Sequence, residues 1–153
     1  MIVYRLCKKE YVNDLSGYGA EMNSGRWNGK GTPALYTSGS RALAVLEIAV
    51  HVPFGIMPTN YYMITIEVPE GASMTKIETA DLPVDWNRNP FPRSTQYIGD
   101  DFLKANTNLI LQAPSATVKG DFNYIFNPRH PDFKSLKIVI AEPFEFDSRL
   151  FKR

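Results

Sequence analysis

Alternating apolar and polar positions mark five short β-strands along the chain. The clearest lies in residues 61–68, where every second residue from Tyr62 to Val68 is bulky and apolar. A period of two is the spacing of side chains on one face of a strand, so we predict a half-buried strand here. Shorter β-rich runs complete the predicted set, at residues 2–6, 34–37, 109–112 and 136–141.

Two segments have the pattern of helices. Residues 41–52 are almost entirely apolar, follow an N-cap candidate in Ser38 or Ser40, and end before Pro53, which cannot continue a helix. Because this helix has almost no polar face, we expect it to be packed on most sides. A second helix is predicted from Ser94 or Thr95 to about residue 105, with a buried set of Tyr97, Ile98, Phe102 and Leu103.

Three loops rich in Gly and Pro separate these elements, at residues 16–31, 83–92 and 127–131. Such loops often carry function on a rigid scaffold. Helices and strands do not alternate regularly, which favours an α+β fold over a doubly wound parallel sheet. A chain of 153 residues is the size of one folding unit, so we expect a single domain over residues 1–153.

Composition and charge exclude several kinds of function. The chain has 17 Lys+Arg and 16 Asp+Glu, too balanced for a protein whose main task is to hold a nucleic-acid backbone. One Cys and two His cannot supply the ligands of a zinc site, so we predict no metal, and we interpret Cys7 as a small buried apolar residue. No apolar run approaches the ~20 residues of a membrane span, and the first residues lack a signal-peptide pattern. We therefore expect a cytoplasmic protein with no membrane role.

Glu47 is the acidic residue that stands out. It is the only one between Met22 and Glu67, and it lies in the most apolar predicted helix. A desolvated carboxylate is costly unless it is paired or used. Two interpretations are open from periodicity alone: a functional carboxylate, or a residue on a solvated stripe that pairs with His51 four positions later.

Arg26 is the matching cationic candidate. It lies in the turn-rich segment Ser24-Gly25-Arg26-Trp27-Asn28. A guanidinium matches phosphate oxygens in a bidentate fork and stays charged at any accessible pH, so this position suits a phosphate oxyanion. The alternative is a surface arginine that covers the neighbouring Trp27.

A series of short motifs, in the same order over nearly the whole chain, resembles the RES domain family, which is named for an Arg, a Glu and a Ser. Residue by residue, the family's Arg, Tyr, Glu and Ser fall on Arg26, Tyr36, Glu47 and Ser115, and Arg5 matches a second arginine. One departure is Ser24-Gly25, where the family often has Gly-Gly. The motifs are Tyr4-Arg5, Gly25-Arg26-Trp27-Asn28, Gly31-Thr32-Pro33, Leu35-Tyr36-Thr37-Ser38, Ala42-Leu43-Ala44-Val45-Leu46-Glu47, Ser94-Thr95-Gln96-Tyr97-Ile98-Gly99-Asp100, Ala113-Pro114-Ser115-Ala116, Asn123-Tyr124 and Asn127-Pro128-Arg129-His130-Pro131-Asp132-Phe133.

The resemblance implies a fold, an activity and a partner. It implies an ADP-ribosyltransferase-like fold, with a split, mostly antiparallel β core and flanking helices around an NAD cleft. It implies the toxin of a bacterial type II toxin–antitoxin pair that consumes NAD as substrate, without a cofactor. The implied partner is an Xre-like helix-turn-helix antitoxin, through which any DNA contact would be made. A homodimer is also compatible with the sequence.

The chemistry of NAD cleavage suits these residue types. Breaking the bond between nicotinamide and ribose passes through an oxocarbenium-like state, which Glu47 could stabilise while accepting a ribose hydroxyl. Arg26, with Arg5, could neutralise the diphosphate. We expect Tyr36 to offer its ring to nicotinamide and Ser115 its hydroxyl to a ribose or amide; the alternatives are a core residue for Tyr36 and a turn hydrogen bond for Ser115.

Three functions stay open at this point. The leading one is hydrolysis or phosphorolysis of NAD, and the second is transfer of ADP-ribose to a protein acceptor. The third, from a different class, is a non-catalytic interaction module whose polar cleft is vestigial.

Overall fold

The computed structural model describes residues 1–152, which form a seven-stranded sheet and three α-helices. The strands are β1 (Ile2–Lys8), β2 (Leu35–Ser38), β3 (Tyr61–Glu67), β4 (Met74–Lys76), β5 (Ile110–Pro114), β6 (Phe122–Phe126) and β7 (Lys137–Phe144), and the helices are α1 (Tyr18–Asn23), α2 (Arg41–Ala49) and α3 (Arg93–Ala105). The sheet order is β4-β5-β6-β2-β1-β3-β7, and every neighbouring pair is antiparallel except β4 and β5. The predicted α+β class and the mostly antiparallel core are confirmed.

The sheet splits in its middle, between β1 and β2. In the described chain these strands are joined at one register position, Tyr4 opposite Ser38, whereas β1 and β3 pair along the whole of β1. Beyond Tyr4 the two strands diverge. The gap opens a cleft that residues of both strands line. The predicted split of the β core therefore lies between β1 and β2.

Helices α2 and α3 cover the same face of the sheet, on opposite sides of this gap. Ala44 of α2 packs with Leu6 and Met63 on the β1–β3 side. Leu103 of α3 packs with Leu111 and other residues of the β5–β6 side. The opposite face of the sheet is covered by turns and short 3₁₀ segments around a third cluster, which includes Val3, Cys7, Leu35, Ile64 and Phe126.

Five predicted strands are present, with ends displaced by no more than three residues, but three elements were missed. Strand β4 is three residues long, and β6 carries polar Asn123 in the middle of the sheet. The short helix α1 lies in the glycine-rich segment interpreted as a loop, and it starts after Gly17, whose φ is 73°. A left-handed backbone at this position suits glycine, so the residue that suggested a loop allows the helix to begin.

Helix α2 is shorter and less buried than predicted. Ser40 is its N-cap, because its Oγ accepts a hydrogen bond from Leu43 N at 3.1 Å. The helix ends at Ala49 instead of residue 52, and the amide of His51 bonds three residues back in a tighter turn before Pro53. Leu43 and Ala44 are buried, whereas the opposite side is half-buried or exposed. The expectation of packing on most sides was wrong because one flank of this apolar helix borders the cleft.

Two other burial expectations need correction. Strand β3 is not half-buried: residues 63–66 are all buried, because α2 and the C-terminal aromatic residues cover its second face. In α3, Ile98 and Phe102 are half-buried and Leu103 is buried, but Tyr97 is 61% exposed. None of the helices within residues 1–152 is long and apolar enough to cross a bilayer.

Cys7 is buried, as predicted, and gives a test of the native packing. Burial raises the pKa of its thiol, so less thiolate is present at any given pH than in a free cysteine. We expect native protein at about pH 8 to react with Ellman's reagent more than tenfold more slowly than protein unfolded in guanidinium chloride. Equal rates in the two states would contradict the packing of β1. The same assay reports whether a variant is folded.

Candidate active site

A cleft of about 1020 Å³ opens at the split in the sheet, between α2 and the loop of residues 83–92. Its volume is at the upper end of the ~300–1,000 Å³ of small-molecule sites, large enough for an extended ligand. Four of the five predicted site residues line it: Arg5, Arg26, Tyr36 and Glu47. The fifth, Ser115, is 3% exposed and lies behind Glu47.

The Glu47 carboxylate is held by neutral hydrogen-bond donors. Ser115 Oγ and Asn123 Nδ2 donate to its Oε1 at 3.0 and 2.7 Å, and Thr117 Oγ1 donates to its Oε2 at 3.2 Å. Among residues 1–152, Glu47 takes part in no ion pair, and the alternative pairing with His51 is not observed. Neutral donors orient a carboxylate without cancelling its charge, so the charge is available to a ligand.

Arg26 is placed at the cleft by a tight turn. Gly25 N and Asn28 O, at the two ends of this turn, are 3.0 Å apart. The Arg26 Nη1 donates to the carbonyl oxygens of Trp86 at 2.6 Å and Arg88 at 2.9 Å, which ties the guanidinium to the loop of residues 83–92. Burial lowers the pKa of Arg26, and the negative charge of Glu47 opposes this effect. The two predicted residues therefore interact electrostatically within one cleft.

Tyr36 fixes the turn that carries Arg26. Its hydroxyl donates to Asn28 Oδ1 at 2.7 Å and accepts from Trp27 N at 3.0 Å. Burial raises the pKa of Tyr36, so the hydroxyl keeps its proton and remains a donor. Its ring lines the cleft, and the predicted contact of that ring with nicotinamide stays a prediction.

Tyr36→Phe removes the hydroxyl and keeps the aromatic ring, so it tests the role of the hydroxyl alone. The substitution leaves Asn28 Oδ1 and Trp27 N without their shared partner, so we expect it to lower the free energy of unfolding by about 1–3 kcal/mol in urea titrations. The matched control is Tyr97→Phe in α3, whose exposed side chain should tolerate the change within about 0.5 kcal/mol. Equal stability of both variants would show that the Tyr36 hydroxyl does not hold the turn.

Helix α3 holds the same turn from the other side. Gln96 Nε2 donates to the carbonyl oxygens of Gly25 and Asn28, both at 3.2 Å, and Asp100 Oδ1 accepts from Gly29 N at 2.8 Å. Gly99, between them on the same helix face, lets the helix approach the Trp27 backbone. Sequence reasoning gave these residues no role. Their spacing of i, i+3 and i+4 was the available signal, because it places them on one face of a helix.

Asn28 also joins these parts, and sequence reasoning gave it no structural role. Its side chain is fully buried. Its Nδ2 donates to Ala20 O at 2.8 Å in α1 and to Thr32 O at 2.9 Å. One amide therefore connects α1, the Arg26 turn and Tyr36.

Arg5 forms hydrogen bonds with the segment that follows β1. Its Nη1 donates to Asp14 O at 2.6 Å and Tyr11 O at 3.3 Å. Alternation along β1 puts Arg5 on the strand face of Val3 and Cys7, yet it lines the cleft through the gap beside β2. Its predicted contact with a diphosphate stays a prediction.

Ser115 makes the turn hydrogen bonds of its alternative interpretation and also contacts Glu47. Its Oγ accepts from Thr117 N and Val118 N, both at 3.0 Å, and uses its single hydrogen for the Glu47 carboxylate. The structure thus brings Ser115 to Glu47, whereas its predicted contact with a ribose or amide stays a prediction. Within residues 1–152, no cluster of three or more His, Cys, Asp or Glu could hold a metal ion.

Comparison with known proteins supplies independent information. Residues 2–147 match the family model described as "RES domain". The chain is 36% identical to the "Prs ADP-ribosylating toxin" of Sphingobium sp. (strain YBL2), over 93% of this chain and 89% of that protein. It is also 36% identical to "Toxin Res" of Yersinia enterocolitica, over 98% and 99% of the two chains. Among solved structures it resembles a chain of the M. tuberculosis MbcT-MbcA toxin-antitoxin complex, with a TM-score of 0.73 at 18% identity, covering 98% of this chain and 86% of that one.

Proposed function

The chain belongs to the RES domain family of toxins, and from this premise we propose that it degrades NAD by cleaving the bond between nicotinamide and ribose. The observation that carries the proposal is the Glu47 carboxylate, fixed by neutral donors in a cleft that also contains Arg26. A fixed negative charge without a cationic partner is suited to a reaction in which positive charge develops on the substrate.

The reaction needs few protein groups. When the C1′–N1 bond breaks, its electron pair neutralises the nicotinamide ring, which leaves without a proton. Positive charge then develops on the ribose, where Glu47 would stabilise it and accept a hydrogen bond from a ribose hydroxyl. In hydrolysis a water molecule forms the new bond to C1′ and loses one proton, giving ADP-ribose, nicotinamide and H⁺. The site thus requires neither a metal nor a histidine acid.

Arg26 is suited to the substrate's diphosphate. Its Nη1 is bound to the carbonyl oxygens of Trp86 and Arg88, an arrangement that fixes the direction of the guanidinium plane. A planar cation held in one direction recognises phosphate oxygens with little loss of conformational entropy. Arg5, also in the cleft lining, would add a second positive charge.

Transfer of ADP-ribose to a protein acceptor is the second candidate, and the name of the Sphingobium relative favours it. Both reactions share the departure of nicotinamide and differ in what bonds to C1′.

We also propose an antitoxin partner of the helix-turn-helix type, which would make any DNA contact. A solved structure of similar fold comes from a toxin-antitoxin complex, which supports an antitoxin partner. The helix-turn-helix type is what the resemblance of the sequence motifs implies.

The test is to incubate the purified chain with NAD labelled in the adenosine half and to separate the products. Free ADP-ribose supports hydrolysis, its phosphate ester in phosphate buffer supports phosphorolysis, and label bound to added protein supports transfer. The sample must be free of antitoxin, which could mask activity. Intact NAD in the presence of folded, antitoxin-free protein would leave the non-catalytic interaction module as the remaining interpretation.

A further inference from the structure

Asn123 and Ser38 form a hydrogen-bonded pair directly behind Glu47. They are opposite each other in the antiparallel pairing of β2 and β6, so their side chains lie on the same face of the sheet. Ser38 Oγ lies 3.0 Å from Asn123 Oδ1, and Asn123 Nδ2 lies 2.7 Å from Glu47 Oε1. Both residues line the cleft, and Ser38 is buried.

These two contacts fix which side of the Asn123 side-chain amide carries the oxygen and which carries the NH₂ group. A hydroxyl can donate to an amide oxygen, and an ionised carboxylate can only accept, so one orientation satisfies both neighbours. With Ser38 donating to Oδ1, the NH₂ group faces Glu47. The amide is thereby a fixed donor to one oxygen of the carboxylate.

The two oxygens of Glu47 are consequently unequal. Oε1 receives two hydrogen bonds, from Asn123 and Ser115, whereas Oε2 receives one longer bond, from Thr117 at 3.2 Å. The oxygen with the greater remaining acceptor capacity is Oε2. A ribose hydroxyl would therefore be accepted there.

We propose that Asn123, oriented by Ser38, is a positioning residue that turns Glu47 Oε2 toward the substrate. This inference rests on the proposed cleavage of NAD and adds the residues that aim its carboxylate. It predicts a loss in kcat with little change in KM, because Asn123 acts on the reacting carboxylate and leaves the arginines that would bind the diphosphate in place. Asn123→Ala should lower kcat by about 10²-fold, the scale of a misplacement of about 1 Å.

The decisive variant is Asn123→Asp, which keeps the size of the side chain but replaces the donor with an acceptor. At about pH 8 two carboxylates would face each other at hydrogen-bond distance and repel, so kcat should fall strongly. At about pH 5 the pair can hold one shared proton, and the protonated carboxyl can donate to Glu47 as the amide does. The ratio of variant to wild-type kcat should therefore rise as the pH falls. A ratio that does not change with pH would overturn the proposal.

Other charged groups do not produce this dependence. Arg5, Asp14, Arg26 and His51 line the same cleft, but all four are present in the variant and in the wild type, so their effects on the rate largely cancel in the ratio. The matched control is Asn108→Asp, where Nδ2 donates to Thr75 Oγ1 at 2.8 Å in a contact between residues outside the cleft lining. Its kcat ratio should stay close to one at every pH.

A readout without turnover separates the failure of this inference from the failure of the proposed function. In ¹H–¹⁵N spectra, the resonances of the Asn123 side-chain amide should shift in Glu47→Gln and stay unchanged in Glu70→Gln, which alters an exposed turn residue outside the cleft lining. An Asn123 amide resonance with the same chemical shift in Glu47→Gln as in the wild type would overturn the positioning role. Wild-type protein that releases no nicotinamide, but shows the amide shift, would overturn the proposed function and keep the hydrogen-bond chain.

Discussion

Glu47→Gln is expected to reduce cleavage of NAD by about 10²–10⁴-fold and to abolish toxicity while leaving the chain folded. The substitution keeps the size of the side chain but removes the charge that would stabilise the oxocarbenium-like state. It also places an amide opposite Ser115 and Asn123, which both donate to the carboxylate. Because Glu47 takes part in no ion pair among the described residues, its loss leaves no buried partner charge there.

Growth and cellular NAD measure this outcome. Expression of wild-type protein without antitoxin should deplete NAD and stop growth, whereas Glu47→Gln should accumulate without either effect. Glu70→Gln makes the same Glu-to-Gln substitution at an exposed residue and should behave as wild type. The Ellman assay on Cys7 verifies that both variants are folded. Full NAD depletion by a folded Glu47→Gln variant would remove Glu47 from the mechanism.

Gly99→Ala is expected to lower the free energy of unfolding by about 2 kcal/mol or more and to impair activity through the Arg26 turn. An added Cβ at this position would clash with the carbonyl oxygen of Trp27, so the helix or the turn must move. In a helix interior, Ala is otherwise favoured over Gly by about 1 kcal/mol. The expected loss therefore has the opposite sign to that of helix propensity.

Gly19→Ala in α1 is the matched control. Within the part of the chain that the structure describes, no heavy atom outside the local helix lies within 4 Å of a Cβ added there. This variant should be neutral or more stable by up to about 1 kcal/mol. Urea titration of both variants gives the comparison. If Gly99→Ala were as stable as Gly19→Ala, α3 would not pack against the turn at this distance.

Five of the seven strands in the described residues were predicted from the sequence, and prediction failed where a residue's role depends on distant parts of the chain. Strand β6 has Asn123 as its second residue, and that polar side chain forms hydrogen bonds with Ser38 and Glu47, which are remote in sequence. Helix α2 looked fully buried because periodicity reports apolar content but cannot show an adjacent cleft. Tyr97 was assigned to a buried face that the smaller Thr95 and Gly99 occupy instead.

The candidate site divides in the same way. Arg26 and Glu47 were selected by residue type and by resemblance, and the fold brings both to one cleft. Sequence could not give the orientation of their functional groups, because that depends on hydrogen bonds across the fold. Asn123 reaches Glu47 from β6, and Gln96 reaches the Arg26 turn from α3. Ser115 was expected to offer its hydroxyl, and Tyr36 its ring, to the substrate. Both hydroxyls bind other residues of the chain, and the two contacts with the substrate stay predictions.

The most direct test of the central claim is nicotinamide release by purified, antitoxin-free protein. Chromatography of a reaction with excess NAD should show one nicotinamide for each NAD consumed by the wild type, and at least about 10²-fold less by Glu47→Gln. The contradictory result is equally clear. Folded wild-type protein that leaves NAD intact, or that cuts it at the diphosphate and releases a mononucleotide, would show that this cleft does not break the nicotinamide–ribose bond.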